Sequence, residues 1–324
     1  MTATNRPFRF GGGLFAAPSA AAWADGARRL EDLGYDTVWT GDHLAGSILP
    51  PFPALLAAAM ATTRVRVATA VIDNDFRHPA ALAKEAATVD RLTNGRLDLG
   101  IGAGWLRADY DNVGLSFDPP GTRVSRLEEA VQVLKGLWHD APFSFEGQHY
   151  TIRDFNCEPK PLQQPHPPLL IGGGGRRLLS LAGREADIVA LAWRALPEGG
   201  LDRADMTMAR FERKIDWVRD AAGDRFDQIE LALHLPGVVV ADDRRVAAEE
   251  MIANRGLPMT VDEVLESPFS LIGTVDQMAE RLLELRERFG ITYFFVFPPD
   301  TETFAQVIAR LPRPTAAAAT SVKA

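Results

Sequence analysis

The stretch Leu169-Leu170-Ile171-Gly172-Gly173-Gly174-Gly175-Arg176-Arg177-Leu178-Leu179-Ser180-Leu181-Ala182-Gly183-Arg184 decides how this chain is read. It runs from a short apolar strand through a loop without side chains directly into a helix. Glycines let a ligand approach the main chain closely, and the first turn of a helix offers unpaired N–H groups with partial positive charge. Two arginines at that end add full charge and forked donors that match phosphate. The stretch is therefore read as a phosphate-anchoring site at Gly172, Gly173, Gly174 and Arg176; a tight strand-to-helix turn with solvated arginines is the plainer reading.

The same strand-then-helix alternation extends in both directions. Strand-like runs fall at 8–15, 37–39, 65–72, 96–102, 168–171, 187–192, 229–240 and 293–297. Helical runs lie between them at 19–33, 79–92, 125–138, 176–182, 206–222, 244–254 and 275–289. Many of the strands are almost continuously apolar, as in parallel sheets covered on both faces. Eight strands alternating with helices predict an α/β fold, a (β/α)8 TIM barrel, occupying 1–312 as one domain. A Rossmann-like open sheet is the competitor, but Gly11-Gly12-Gly13 after the first strand lacks the dinucleotide spacing. Gly100-x-Gly102-x-Gly104 follows a strand, with about twenty residues of loop expected before the next helix. Three segments exceed simple connections: a hairpin-like one at 139–167, and irregular ones near 194–205 and 255–272. These are expected as insertions over the C-terminal face of the strands, as lids and substrate walls. The end, 313–324, is expected to be a disordered tail.

Composition sets limits on function. The 324 residues are 46% hydrophobic and 24% charged, with a net charge of -8. That balance argues against a general nucleic-acid or anionic-membrane partner. Cys157 is the one cysteine, so an intramolecular disulfide and a cysteine-rich metal site are excluded. No stretch approaches the roughly 20 apolar residues of a membrane span, and no signal peptide is recognised, so a cytoplasmic protein is expected.

In a barrel the strand ends build the active site. Thr40-Gly41-Asp42-His43 follows the second strand, and His43 is the candidate acid, base or ring-orienting group. The third strand leads to Asp73, Asn74 and His78, which can serve the pocket or simply order the turn. The fourth ends in Gly102-Ala103-Gly104-Trp105, small residues that leave room for a flat ligand, with Trp105 as a stacking wall. Trp193, at the end of the sixth strand, is a similar candidate for substrate contact. None of the five lysines lies at a predicted strand end, which disfavours a Schiff-base aldolase. No His-x-His follows the first strand, so no metal is expected, and no G-x-S-x-G elbow is present. A phosphate anchor with few acid–base groups suits an organic cofactor that performs the difficult chemistry itself on a small-molecule substrate.

Several stretches together resemble the bacterial luciferase-like superfamily, especially its deazaflavin (coenzyme F420)-dependent oxidoreductases. They are Leu33-Gly34-Tyr35-Asp36-Thr37-Val38-Trp39-Thr40-Gly41-Asp42-His43, then His78-Pro79-Ala80-Ala81-Leu82-Ala83-Lys84-Glu85, and Gly95-Arg96-Leu97-Asp98-Leu99-Gly100-Ile101-Gly102-Ala103-Gly104-Trp105. Arg126-Leu127-Glu128-Glu129-Ala130-Val131 and the approach to Gly172-Gly173-Gly174 continue the likeness, which covers most of the chain to about residue 193. The resemblance implies an F420- or flavin-binding barrel, commonly a homodimer. It implies that His43 lies near the deazaflavin and that Ala70-Val71 forms a bulge behind the ring, with a non-proline cis peptide. It implies that Gly172, Gly173 and Gly174 form the phosphate loop. Some sugar-phosphate dehydrogenases of the group carry an acidic residue where Trp105 stands, so their proton donor and substrate do not carry over, and Asp109 is not read as its equivalent. The leading expectation is an F420-dependent oxidoreductase moving a hydride. An FMN-dependent monooxygenase using oxygen and a non-catalytic flavin-binding protein are the alternatives.

Overall fold

The computed structural model describes residues 6–312; the tail expected at 313–324 lies outside them. Eight parallel strands form a closed ring: β1 (Arg9–Gly13), β2 (Thr37–Thr40), β3 (Arg66–Thr69), β4 (Leu97–Gly102), β5 (Leu169–Gly173), β6 (Ile188–Leu191), β7 (Glu230–Leu235) and β8 (Ile291–Val296). Each pairs with its neighbour in the chain, and β1 pairs with β8 to shut the ring. The helices are α1 (Ala20–Asp32), α2 (Pro51–Ala61), α3 (Pro79–Leu92), α4 (Arg107–Asp111), α5 (Pro120–Trp138), α6 (Arg176–Glu185), α7 (Met208–Ala222), α8 (Arg244–Arg255), α9 (Val261–Glu266), α10 (Val275–Phe289) and α11 (Thr301–Ile308).

The apolar strands divide their side chains between two cores, because successive residues point to opposite faces. Leu170 packs inside the ring with Trp39, Ala68, Ala190, Ala232, Tyr293 and Phe295. Leu169 and Ile171, its neighbours, join the larger core between strands and helices. Gly11 accommodates the inner rings: a Cβ there would stand 2.8 Å from Phe295 and 3.1 Å from Trp39. The triple glycine of β1 thus serves packing. At the N-terminal end of the ring, fully buried Asp98 lies between Arg9 and Arg66, at 2.5 and 2.6 Å. Both guanidiniums hold its carboxyl below the usual carboxylate range despite burial.

Four details differ from the sequence reading. The run at 229–240 is not one strand: β7 ends at Leu235, and Gly237–Val240 pairs instead with Ser270–Gly273 in a separate parallel pair. Pro236, which has no N–H for a ladder, makes the break. The loop expected after Gly104 contains α4, which starts two residues beyond Trp105. The proline- and alanine-rich segment 51–61 forms α2, with Pro51 in its first turn where a missing N–H costs nothing. Helix α5 begins at Pro120 rather than near 125. The expected hairpin is present as Phe143–Glu146 paired with Thr151–Phe155.

Candidate functional site

The C-terminal ends of the strands enclose a cavity of about 740 Å³. His43, Ala70, Val71, Asp73, Gly102, Ala103, Gly104, Trp105, Gly172, Gly173, Gly174, Arg176 and Trp193 line it, whereas Asn74 and His78, the other candidates at the end of the third strand, do not.

One wall is a bulge. Ala68 pairs with Asp98 on β4, but Ile72 pairs with Ile101, so the third strand carries one residue more than its partner. The extra residue falls at Ala70–Val71, whose peptide is cis. Thr69 repairs the interrupted ladder, its hydroxyl donating to the carbonyl of Gly100 at 2.7 Å and accepting from the Gly100 N–H at 2.8 Å. The Val71 side chain seats against two glycines. A Cβ at Gly102 would lie 2.6 Å from it, and one at Gly172 3.2 Å. Those glycines fix where the bulge faces the cavity.

His43 stands at another wall. Its Nδ1 is 2.6 Å from Asp109 Oδ2, and the other oxygen of Asp109 accepts from the N–H of Ala45, also at 2.6 Å. Asp109 is buried on α4. A carboxylate accepts, so Nδ1 carries the proton and Nε2 is left to exchange one with a ligand. Trp105 meets the His43 ring edge-on at 5.7 Å. Sequence reading set Asp109 aside, because the short α4 that delivers it was not foreseen.

The glycine loop opens into α6. Gly175 is the N-cap and supplies no side-chain cap, so the first N–H groups of the helix stay unclaimed by it. A Cβ at Gly175 would meet nothing within 4 Å. Gly173 and Gly174 are constrained from within: a Cβ at Gly173 would sit 2.3 Å from Leu178, and one at Gly174 2.4 Å from the main chain of Trp193. Of the nearby arginines, Arg177 is committed to the Gly121 carbonyl and Ser125, and Arg194 to Asp202. Arg176 is exposed at the rim, with no ion pair among the described residues.

Two titratable cavity residues are set by burial. Asp73 is pushed up to about 7 by desolvation, against hydrogen bonds from the Asp75 N–H and the Tyr110 hydroxyl at 2.9 Å that favour its charged form. His234, at the end of β7, is held down to about 4 by burial among Trp39, Phe295 and Phe297. The apolar run at 229–240 hides this strand end from a reading of the sequence, and Pro236 is the signal that marks it. His78 caps α3 through the Ala80 N–H, a structural duty away from the cavity. Of the three expected insertions, 194–205 forms a wall through Ala195, Leu196 and Leu201, while 255–272 gives Phe269. The hairpin contributes nothing to the cavity; Glu129 of α5 ties it down through the N–H groups of 148–150.

A sequence profile described as luciferase-like monooxygenase matches residues 3–263. The chain belongs to this family. It is similar to an FMNH(2)-dependent dimethylsulfone monooxygenase of Pseudomonas putida, with 37% identity over 134 residues, 41% of this chain and 36% of that protein. It is similar also to an F420-dependent glucose-6-phosphate dehydrogenase of Kineococcus radiotolerans, 35% identical over 174 residues, 51% of this chain and 50% of that one. These alignments span half or less of the relatives' own lengths. The solved coenzyme F420-dependent tetrahydromethanopterin reductase of Methanopyrus kandleri shares the fold, with a TM-score of 0.74 and 20% identity over 95% of this chain and 100% of that one. Luciferase-like relatives thus include users of reduced FMN and of F420. Among the described residues no three His, Cys, Asp or Glu side chains are grouped to hold a metal ion, and no helix is long and apolar enough to cross a membrane.

Proposed function

We propose that this luciferase-like protein is an F420-dependent oxidoreductase acting on a small organic substrate. The cavity fits such a cofactor by its own features: a bulge wall facing a flat space, and an uncapped helix end for an anion. When bound, the deazaflavin supplies a two-electron carrier that exchanges hydride at one ring carbon. Val71 would back one ring face, and Gly102, Ala103 and Gly104 would leave the space beside it open. Gly172–Arg176 would hold the phosphate end. Hydride exchange with a carbonyl or alcohol also moves a proton at the substrate oxygen, and His43 Nε2, oriented through Asp109, is the group placed to hold or release it. Trp105, Trp193 and the 194–201 wall would bound the substrate and exclude water.

The observation that carries the cofactor choice is Arg176, an uncommitted cation at the rim just outside the anion end. It is suited to the additional negative charge of the F420 tail. Titration of the purified protein with F420, FMN and their reduced forms is the test. Tighter F420 binding and turnover that ignores oxygen are expected. Tighter FMN binding with oxygen-dependent turnover would overturn this reading in favour of a flavin monooxygenase, the second reading, which the apolar wall of Phe15, Trp39 and Phe297 also suits.

A further inference from the structure

A buried guanidinium with no hydrogen-bond partner among the described residues faces the same cavity. Arg123, in the first turn of α5, is 2% exposed. Its Nε and Nη1 are buried and reach no acceptor, and the ring of Phe117 covers it at 3.8 Å. An unpaired charge is strongly unfavourable in such a place. The helix dipole adds to the cost, since a cation at an N-terminus meets like partial charge. The acids nearby are already engaged. Asp75 and Asp118 sit against Arg126, and Asp73 accepts from Tyr110. Phe117 and the nearby acids offset part of that cost but leave Nε and Nη1 without acceptors, so a ligand is the natural partner.

The location says what ligand. Arg177 of α6 donates to the Gly121 carbonyl and to Ser125 Oγ, both at 2.7 Å, which ties the first turns of α5 and α6 side by side. Gly121 and Arg123 from one helix, and Gly175 and Arg176 from the other, all line the cavity. We infer that Arg123 completes an oxyanion subsite between these two helix ends, and that the subsite takes a phosphoryl group. Tetrahedral oxygens can use α6 N–H donors and a forked guanidinium at once. The inference rests on the anchoring role proposed for the α6 end and adds a residue from a different helix. A phosphoryl group of the cofactor and one of the substrate share this chemistry.

The test compares Arg123→Met with the parent. The probes are inorganic phosphate, FMN against riboflavin, and F420 against its phosphate-free deazariboflavin core. Removing an unpaired buried charge should leave the midpoint of thermal unfolding equal or higher, so misfolding does not confound the result. The parent should be stabilised by phosphate and the variant should not. If the cofactor is the source, the variant binds it about tenfold or more weakly and the phosphate-free core unchanged. Loss of the phosphate response with cofactor affinity intact also supports the subsite and assigns it to substrate. Arg123→Lys, which keeps charge but loses the fork, should retain part of the response. A Met variant that responds to phosphate and binds each cofactor as the parent does overturns the inference. Gly175→Asp separates the two readings: if it binds cofactor normally while Arg123→Met does not, the α6 anchor fails, and with it the shared subsite, leaving Arg123 as a phosphoryl contact that does not use the α6 N–H groups.

Discussion

At the scale of single residues, the site depends on pairs that no local pattern announces. His43 and Asp109 are 66 positions apart and meet only because α4 folds back over the end of β2. Asp109→Asn would keep the shape but permit the other imidazole tautomer. Its turnover should fall about a hundredfold or more with cofactor affinity near the parent's, since general acid–base catalysis carries effects of that size. Parallel turnover and fluorescence titrations check this; unaltered turnover would remove the dyad from the chemistry. Asp73 offers a pH test. Its carboxyl binds a proton more tightly in the folded chain than in the unfolded one. Its contribution to stability is therefore complete below the ordinary carboxylate value and is lost as pH rises through about 7. Asp73→Asn should match the parent near pH 4 and exceed it at pH 8, by on the order of a few kcal/mol at most. Denaturant unfolding at both values decides; a gap that does not widen with pH would contradict the burial account.

At the scale of elements, the glycine run divides in two. Gly172 seats the bulge, and Gly173 and Gly174 make room for Leu178 and the end of β6, whereas Gly175 faces open space. Gly175 has φ -90° and ψ 146°, an ordinary extended N-cap conformation that aspartate adopts readily. Gly175→Asp should therefore keep or slightly raise stability, by about a few tenths of a kcal/mol, because the side chain would cap α6. The same carboxylate would occupy the anion-binding N–H groups and repel a phosphate, so cofactor affinity should drop about tenfold or more. Thermal unfolding and cofactor titration on one sample measure both. A stable variant with full affinity would show that the helix end holds no anion. The run looked like a ligand loop from its sequence, yet a list of glycines does not tell which are demanded by a neighbour and which by a guest. That distinction needed the positions of Val71, Leu178 and Trp193.

At the scale of the molecule, the homodimer expected from the resemblance is testable by light scattering, which should give about twice the chain mass of 35.4 kDa at micromolar concentration. A mass of one chain at that concentration would refute it. The barrel itself was legible because continuous apolar strands alternating with amphipathic helices leave few other ways to cover both faces of a parallel sheet. The strand ends were legible where polar residues followed an apolar run, as at Asp42 and His43, or where small residues did, as at Gly102-Ala103-Gly104. They were not legible at His234, where Leu235-Pro236-Gly237 interrupts a run that stays apolar on both sides.

The sequence by itself determined the ring of strands and the glycine-to-helix turn, because each follows from side-chain periodicity and local backbone preference; the bulge position was legible only through the family resemblance. Only the tertiary structure decided that Asp109 orients His43, that buried Arg123 has no hydrogen-bond acceptor for Nε and Nη1 among the described residues, and that the hairpin stays off the cavity. Those are relations between residues on different elements. They are set by how helices dock around the ring, and a one-dimensional pattern carries no record of that docking.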